Sequence, residues 1–313
     1  MLALAARRII ATVIVMAVVA LFVFSLLYLA PGDPAAVIAG DQATPADIAR
    51  IRQSLGLDRP FFIRFGEWFW RILQGDLGRS IFTGSPVSEL IGQRLGPTIS
   101  LMVLTVAFAV AIAVPAGVFA ASKAGTWVDN CFMSLAVFGF SVPVFVIGYV
   151  LAYVFALQLE WFPVQGYTAL ADGVWPWFQS LVLPSITLGC VYMALIARIT
   201  RASMLEVLQQ EYIRTARSKG AAELDILFVH ALKNAAVPII TIVGIGIALL
   251  IGGAVVTESV FAIPGLGRLT VDAIMRRDYP VIQGVVLLFS FVYVLINLLI
   301  DLAYTLLDPR IRY

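Results

Sequence analysis

Long uncharged apolar runs leave this sequence few possible folds. The first run, Ile9 to Gly32, follows Arg7 and Arg8 and exceeds the roughly 20 residues that a helix needs to cross a membrane. Five more runs follow, at approximately Thr98 to Ala121, Cys131 to Leu157, Leu181 to Ala197, Val237 to Thr257 and Val281 to Leu299. Charged residues make up only 13% of the chain, against roughly a quarter in soluble domains. The sequence therefore predicts an all-α integral membrane protein with six transmembrane helices.

A cleaved signal peptide is the alternative interpretation of the first run. The apolar region of a signal peptide spans about 7 to 15 residues and ends at an A-x-A-like cleavage site. The first run is longer and ends in LAPGDP, so we expect an N-terminal transmembrane helix at residues 1–32.

Basic residues near the ends of the runs predict the orientation of the chain, because short cytoplasmic loops are enriched in Lys and Arg. The loop at residues 198–236 is rich in both, whereas the loop from Gln158 to Ser180 contains neither. If Arg7 and Arg8 are cytoplasmic, six crossings place both termini and the basic loop in the cytoplasm. The loop from Glu258 to Pro280 departs mildly from this rule, because its basic and acidic residues are mixed.

Residues 33–96 form a long segment on the predicted outer (periplasmic) side, and residues 97–313 form a five-helix core. Within the segment, Thr44, Pro45 and Gly56 are typical of the N-cap, the first position and the end of a helix. The next stretch, PFFIRFGEWFWRIL, mixes large aromatic residues with arginine. Such a helix can lie along the outer interface of the membrane or pack on top of the helix bundle, and the sequence leaves both open.

The sequence contains no arrangement of residues suited to enzymatic chemistry. It has neither H-E-x-x-H nor a nucleophile elbow, and Cys131 and Cys190 lie in apolar runs, where cysteine acts as a small hydrophobic residue. There is no C-x-x-C, and His230 is the only histidine. We therefore expect no catalytic residues and no metal site.

A membrane protein with these runs could be a carrier, a channel or one subunit of a pump, and a pump could take its energy from another protein. The middles of the six runs lack ionisable residues, which disfavours an ion-coupled carrier. No G-x-x-x-x-G-K-[ST] motif is present to bind ATP, so we expect this chain to bind no cofactor and to depend on a separate ATPase.

The polar stretch from Met204 to Pro238 is where such an ATPase could dock. Its spacing predicts two short helices that meet at Gly220. One side of the second helix is predicted to be apolar: Leu224, Leu227, Phe228 and Leu232. A solvated loop without a partner is the alternative, since a run of charges is usually a solvated surface.

Several segments resemble the permease subunits of bacterial ABC importers, in the dipeptide, oligopeptide and nickel branch. EYIRTARSKGAAELDILFVHALKNAAVP, from Glu211 to Pro238, is similar to the EAA loop of that family, although Arg214 stands where the general motif has Glu. The other segments are LAPGDPA at Leu29 to Ala35, ESVFAIPGLGRLTVDAIMRRDYPVIQG at Glu258 to Gly284, and the terminal DPRIRY. The resemblance implies a type I ABC importer permease (MetI-like) fold.

The resemblance also implies a function and a set of partners. A second permease, expected to be a different chain, would pair with this one in the bacterial inner membrane. Two cytoplasmic ATPase subunits would carry ATP and Mg, and a periplasmic or lipid-anchored binding protein would deliver the cargo. The expected cargo is a short peptide, either a di- or oligopeptide or a glutathione-like one. A nickel or metal-chelate importer is the alternative, followed by an ion-coupled secondary transporter.

The resemblance assigns the ATPase-coupling role to a loop that we call the coupling loop, residues 198–236. Its candidate contact residues are Glu211, Tyr212, Arg214, Thr215, Ala216, Arg217, Lys219, Gly220, Ala221, Ala222 and Glu223. Small residues four positions apart, Gly244, Ala248 and Gly252, predict close helix packing in a permease interface or along the translocation path, with static packing as the alternative. Pro264, Gly265 and Gly267 predict a tight loop near an outer gate, with a simple turn as the alternative. Pro115, Pro143 and Pro184 can kink their helices.

Overall fold

The computed structural model describes the backbone of residues 2–29, 34–39, 43–54 and 56–307. Within these residues the regular structure is helical, apart from a β-bridge that pairs Arg79 with Pro86. The chain forms two compact units. Unit 1 comprises Met1–Leu95 and Leu269–Leu295, and unit 2 comprises Gly96–Arg268 and Ile296–Tyr313. Residues 30–33 of the LAPGDPA segment and the terminal DPRIRY lie outside the described residues.

Long and short helices alternate along the chain. The helices up to the middle of the chain are α1 (Leu2–Leu29), α2 (Pro34–Ala39), α3 (Pro45–Ser54), α4 (Phe61–Leu73), α5 (Val87–Ser122), α6 (Trp127–Ser141) and α7 (Val144–Leu151), which continues as a π-helix (Ala152–Gln158). A short 3₁₀ turn (Leu170–Asp172) precedes the remaining helices. These are α8 (Val174–Leu208), α9 (Glu211–Ser218), α10 (Glu223–Asp225), a π-helix (Ile226–Ala231), α11 (Leu232–Asn234), α12 (Ala236–Val260), α13 (Leu266–Arg276) and α14 (Tyr279–Leu307).

Four of the six predicted spans are confirmed as single continuous helices. In the described part of the chain, α5, α8, α12 and the part of α14 up to Ile300 are long and apolar enough to cross a membrane. The described apolar part of α1, Ile10–Leu26, is shorter than a full span. The predicted first run extends into residues outside the description, so the crossing at α1 stays a prediction.

The predicted third span, Cys131 to Leu157, is wrong as a single helix. α6 ends at Ser141, α7 begins at Val144, and the two segments are bent by 103°. Val142 is extended, with φ −85° and ψ 131°, a conformation that Pro143 favours because its ring disfavours the helical conformation in the residue before it. Pro143 therefore breaks the helix, whereas Pro115 and Pro184 lie inside helices that continue past them.

The predicted helix in the outer segment is confirmed with its cap. α3 begins at Pro45, and the hydroxyl of Thr44 accepts a hydrogen bond from the backbone N–H of Asp47 at 3.3 Å. The Asp47 carboxylate in turn accepts from the Thr44 backbone N–H at 3.2 Å and from its hydroxyl at 2.6 Å, which closes a reciprocal capping box. Hydrogen bonding from Thr44 holds the pKa of the Asp47 carboxyl below its usual value. Gly56 is left-handed, with φ +62°, and ends this segment.

Unit 2 is built around α8, which packs against α6, α7 and α12, and α5 approaches it closely at Gly117. Two glycines bring the helix backbones close together. A Cβ on Gly117 of α5 would lie 2.7 Å from the carbonyl oxygen of Ala197, and one on Gly246 of α12 would overlap the ring of Tyr192. The Tyr192 hydroxyl donates to the carbonyl of Val243, so this ring is fixed at both ends. The glycines therefore set the spacing of α5 and α12 on α8.

The packing at Gly246 predicts a stability difference between two glycines of the same helix. Gly246→Ala should destabilise the protein by about 1–3 kcal/mol, because the fixed ring of Tyr192 leaves no room for a methyl group. Gly252→Ala is the matched control: nothing lies within 4 Å of its Cβ position, and alanine favours a helix by up to about 1 kcal/mol. Thermal unfolding of the purified variants measures the difference. Equal melting temperatures would contradict the proposed spacing role.

Candidate functional site

The coupling loop contains the two predicted helices, and Gly220 separates them as expected. α9 starts after an extended Gln210, with φ −71° and ψ 147°, and Gly220 adopts φ +83°, which glycine adopts without steric cost. The backbone N–H of Ala221 donates to the carbonyl of Ala216 at 3.2 Å and closes the end of α9. The second helix, from Glu223 to Asn234, begins after Ala222, which is extended, with φ −64° and ψ 145°.

A buried apolar cluster fixes the coupling loop to the ends of the long helices. Ile213 from α9 and Ile226, Leu227 and Ala231 from the second helix are all buried. They pack with residues of α5, α8 and the start of α12: Val118, Ala121, Met204, Ala235 and Ile239. Ala216 and Ala221 pack against the same cluster. The loop is therefore fixed to the core by side-chain packing as well as by its chain connections to α8 and α12.

The predicted apolar side of the second helix is partly wrong. Leu227 is buried and Leu232 half-buried, but Leu224 and Phe228 are exposed. The reason is the π-helix from Ile226 to Ala231, whose i→i+5 hydrogen bonds widen the turn and shift the side chains. Ile226 and Ala231, five residues apart, share the inner side instead.

The outer surface of the coupling loop carries most of the predicted contact residues. Nine of them are exposed: Glu211, Tyr212, Arg214, Thr215, Arg217, Lys219, Gly220, Ala222 and Glu223. Arg214 pairs with Glu211 at 2.7 Å, and Arg217 pairs with Glu223 at 2.8 Å across the Gly220 turn. Hydrogen bonding from Arg217 holds the pKa of the Glu223 carboxyl below its usual value. The structure thus presents a charged surface on a firmly packed base.

A contact that the sequence did not predict ties the turn between α5 and α6 to α8. The Asp129 side chain is only 2% exposed and accepts two hydrogen bonds from Arg201, at 2.5 and 2.6 Å. The backbone N–H of Gly125 donates to the same carboxylate at 2.9 Å. The ring centroids of Phe119, near the end of α5, and Phe228, in the coupling loop, lie 6.0 Å apart. The α5–α6 turn and the coupling loop therefore lie at the same end of unit 2.

The opposite end of unit 2 is closed by a network centred on Glu258, which is fully buried at the end of α12. One carboxylate oxygen accepts from the Thr98 hydroxyl at 2.7 Å, and the other accepts from the backbone N–H of Arg268 at 3.0 Å. The Thr98 oxygen accepts from the backbone N–H of Leu266 at 2.8 Å. Both carboxylate oxygens therefore act as hydrogen-bond acceptors.

The predicted outer gate loop wraps this carboxylate. A Cβ on Gly265 would overlap the Glu258 carboxylate, and one on Gly267 would lie 2.6 Å from the Cα of Val255. Gly265 and Gly267 are thus required because a side chain at either position would collide with Glu258 or with the backbone of α12. Nearby, the backbone N–H of Gly166 donates to the carbonyl of Phe261 at 2.9 Å. Glu258 lies just outside the fifth apolar run, and we predicted no role for it. The only feature of the sequence that pointed to this network was a carboxylate close to the PGLG segment.

The small-residue stripe on α12 is divided by the structure. Gly244 is buried, and a Cβ there would overlap Ile300 of α14. Ala248 is half-buried and Gly252 is exposed. The structure therefore uses Gly244 for packing within the chain and leaves the other two positions toward the surface. Their role in a permease interface or translocation path stays a prediction.

Comparison with known proteins agrees with this architecture. Residues 113–313 match the family described as the inner membrane component of binding-protein-dependent transport systems, and residues 1–102 match the N-terminal part of such components. The chain belongs to this family. It is accordingly a multi-pass inner-membrane permease of the ABC importer type.

Relatives and a solved structure support the family assignment and the fold. A Sinorhizobium fredii protein named "probable peptide ABC transporter permease protein y4tP" is 58% identical over 98% of both chains. The glutathione transport system permease protein GsiC of Salmonella choleraesuis is 42% identical, again over 98% of both. A chain of the MetNI methionine ABC transporter, in an inward-facing conformation, matches 71% of this permease and 97% of its own length with a TM-score of 0.59. At 18% identity that match shows the MetI-like fold alone.

The Asp129–Arg201 ion pair predicts a non-additive pattern of stabilities. Asp129→Asn or Arg201→Gln alone should cost about 2–4 kcal/mol, since each leaves one partner without its counter-charge. The double variant should be no less stable than Asp129→Asn alone, because it removes both charges. A double-mutant cycle by thermal unfolding of the purified permease measures the coupling. Additive losses would show that the two groups stabilise the fold independently.

The Glu258 network predicts a graded response to substitution. Glu258→Leu leaves the Thr98 hydroxyl and the Arg268 N–H without their acceptor, at about 1–3 kcal/mol for each unsatisfied group. Glu258→Gln should lose less, because its amide oxygen can accept from Arg268 while its NH₂ donates to Thr98. Thermal unfolding of both variants tests this order. Equal losses would mean that burial of the side chain matters more than its hydrogen bonds.

Proposed function

We propose that this permease belongs to an ATP-driven importer of short peptides, including glutathione-like ones. The observation that carries the proposal is the exposed coupling loop on its buried apolar base, in a chain without a nucleotide-binding motif of its own. The names of the two relatives above, one for peptides and one for glutathione, support the choice of cargo. In this assembly ATP and Mg bind to two ATPase subunits, and this chain binds no cofactor.

The remaining partners follow from the family. A second permease, proposed to be a different chain, pairs with this one, and a periplasmic or lipid-anchored binding protein delivers the cargo. The candidate coupling residues from Glu211 to Glu223 contact an ATPase subunit through the exposed side of the loop. Their charges would complement the rim of a groove on that subunit, while the buried base keeps the loop attached to α5, α8 and α12.

The arrangement of contacts in unit 2 supports the proposed orientation. The α5–α6 turn and the coupling loop, both predicted to be cytoplasmic, meet through Phe119 and Phe228. At the other end, the hydroxyl groups of Tyr167 and Ser100 lie 3.3 Å apart, and Gly166 bonds to Phe261. Gly166, Tyr167 and Phe261 belong to segments predicted to be outside, and Ser100 lies near the outer end of the second predicted span. Each of these contacts therefore joins segments that are predicted to lie on the same side of the membrane.

We further propose how the loop would transmit movement. When the ATPase subunits close on ATP, they displace the coupling loop. The long helices then move with the loop, because the buried cluster packs the loop tightly against them. α6 would follow α8 through the Asp129–Arg201 ion pair. The result is alternation of the transport path between inward-open and outward-open states, and hydrolysis resets it.

Reconstitution tests the function directly. The permease, purified with its co-expressed partner permease and ATPase subunits, is placed in vesicles and supplied with the binding protein. Labelled dipeptides and glutathione should accumulate only with ATP and the binding protein present, and a nickel chelate should not. Uptake by this chain alone, driven by an ion gradient, would refute the proposal. Uptake of the nickel chelate instead would refute the cargo and keep the ATP-driven mechanism.

The exposed side of the coupling loop predicts a loss of assembly without a loss of folding. Leu224 is 63% exposed, so Leu224→Asp should leave the melting temperature of the permease unchanged while it abolishes co-purification of the ATPase. Ala49→Glu, on the exposed surface of α3, is the control for an added acidic charge and should retain the ATPase. If Leu224→Asp retains the ATPase and normal transport, the loop surface is not the docking site.

A further inference from the structure

Helix α4 has three distinct faces, although it is only 13 residues long. One face packs on α1: the ring of Phe24 lies 5.1–5.5 Å from the rings of Phe61, Phe65 and Trp68. A second face carries Arg64, Glu67 and Arg71, at helical spacings of three and four. The third face is apolar and exposed, and consists of Phe62, Ile63, Trp70 and Leu73. Phe62 is 81% exposed and Leu73 63%, so no described residue of unit 1 covers this face.

The order of the faces around the helix is informative. At 100° per residue, the charged stripe and the exposed apolar face lie on opposite sides of the face that packs on α1. The charges are also unevenly used: Arg59 pairs with Glu67 at 2.8 Å, and Arg64 lies 5.8 Å from the centre of the Phe24 ring. Arg71 is exposed and has no ion-pair partner among the described residues. In water alone, separating the charged side from the exposed apolar side would not stabilise the helix.

The contacts of α4 with α1 and α14 indicate its depth in the membrane. Trp68, Phe69 and Ile72 pack against a cluster of Ala20, Val23 and Leu287. At 1.5 Å per residue, Ala20 lies about 13 Å before the end of α1 at Leu29, and Leu287 lies about 12 Å after the start of α14 at Tyr279. Both helix ends are predicted to be on the outer side. The two measures agree and lie within one leaflet, whose hydrocarbon is about 15 Å thick.

We propose that α4 lies in the plane of the outer leaflet and that its partner is the phospholipid bilayer itself. Phe62, Ile63, Trp70 and Leu73 enter the acyl chains, and the stripe of Arg64, Glu67 and Arg71 faces the headgroups. Such helices bury their apolar face about 5–10 Å below the headgroup boundary, and the contacts on α1 and α14, about 12–13 Å from the helix ends, lie in the same leaflet. This surface anchors unit 1 in the membrane and is not available to the binding protein. The proposal does not depend on the cargo.

Spin labels at single cysteines test the proposal in the full-length permease. In a Cys131→Ala, Cys190→Ala background, labels are introduced by Phe62→Cys and Trp70→Cys on the apolar face and by Glu67→Cys on the charged face. The protein is reconstituted into vesicles of phosphatidylethanolamine and phosphatidylglycerol. Collision rates with oxygen, which partitions into lipid, are compared with those of a water-soluble nickel chelate. Val13→Cys, on the exposed side of α1, is the lipid control, and Ala49→Cys on α3 is the water control.

The expected result is a several-fold higher ratio of oxygen to nickel collisions at positions 62 and 70 than at position 67. The first two should resemble position 13, and position 67 should resemble position 49. Equal ratios at positions 62 and 67 would overturn the proposal, because the apolar face would then be in water. Low collision rates with both reagents at positions 62 and 70 would also overturn it, since protein would cover the face.

Discussion

The close contact of helix backbones on α8 is the constraint on which the rest of unit 2 depends. A membrane offers no water to hydrogen-bond a displaced backbone, and lipid gives little hydrophobic reward for bringing helices together. Helix association must therefore come from packing, and glycine permits the closest packing. Gly117 and Gly246 bring α5 and α12 onto α8 from two sides. Once these distances are set, the positions of the coupling loop and of the Glu258 network follow, because each lies at the end of the same helices.

The two ends of unit 2 are held in different ways. At the coupling loop, the exposed ion pairs contribute about 0–1 kcal/mol each, so the loop is stabilised mainly by its buried apolar cluster. At the other end, a buried carboxylate is retained only because fixed donors surround it. Charges on the coupling loop are thus free to serve a partner, whereas the Glu258 carboxylate is fully engaged within the chain.

Local patterns in the sequence predicted the elements that depend on neighbouring residues. The apolar runs became helices, Thr44 and Pro45 began α3, and Gly220 separated the two helices of the coupling loop. Contacts between distant residues were beyond such reasoning. Asp129 and Arg201 are 72 positions apart, and Thr98 and Glu258 are 160 apart. Nor does periodicity reveal a π-helix, which is why Leu224 and Phe228 were expected on the wrong side.

The break at Pro143 shows that the effect of a single proline on a helix cannot be predicted from the neighbouring sequence alone. Pro115, Pro143 and Pro184 all lack a backbone N–H and all lie in apolar runs, yet only Pro143 ends its helix. Much of α8 is buried around Pro184, which itself is buried, so neighbouring helices hold its backbone in place. α6 exposes Leu135, Phe138 and Phe140, so far less protein surrounds the helix that leads to Pro143. The same residue type is therefore tolerated inside a helix or ends it according to how firmly the surrounding helices hold the backbone.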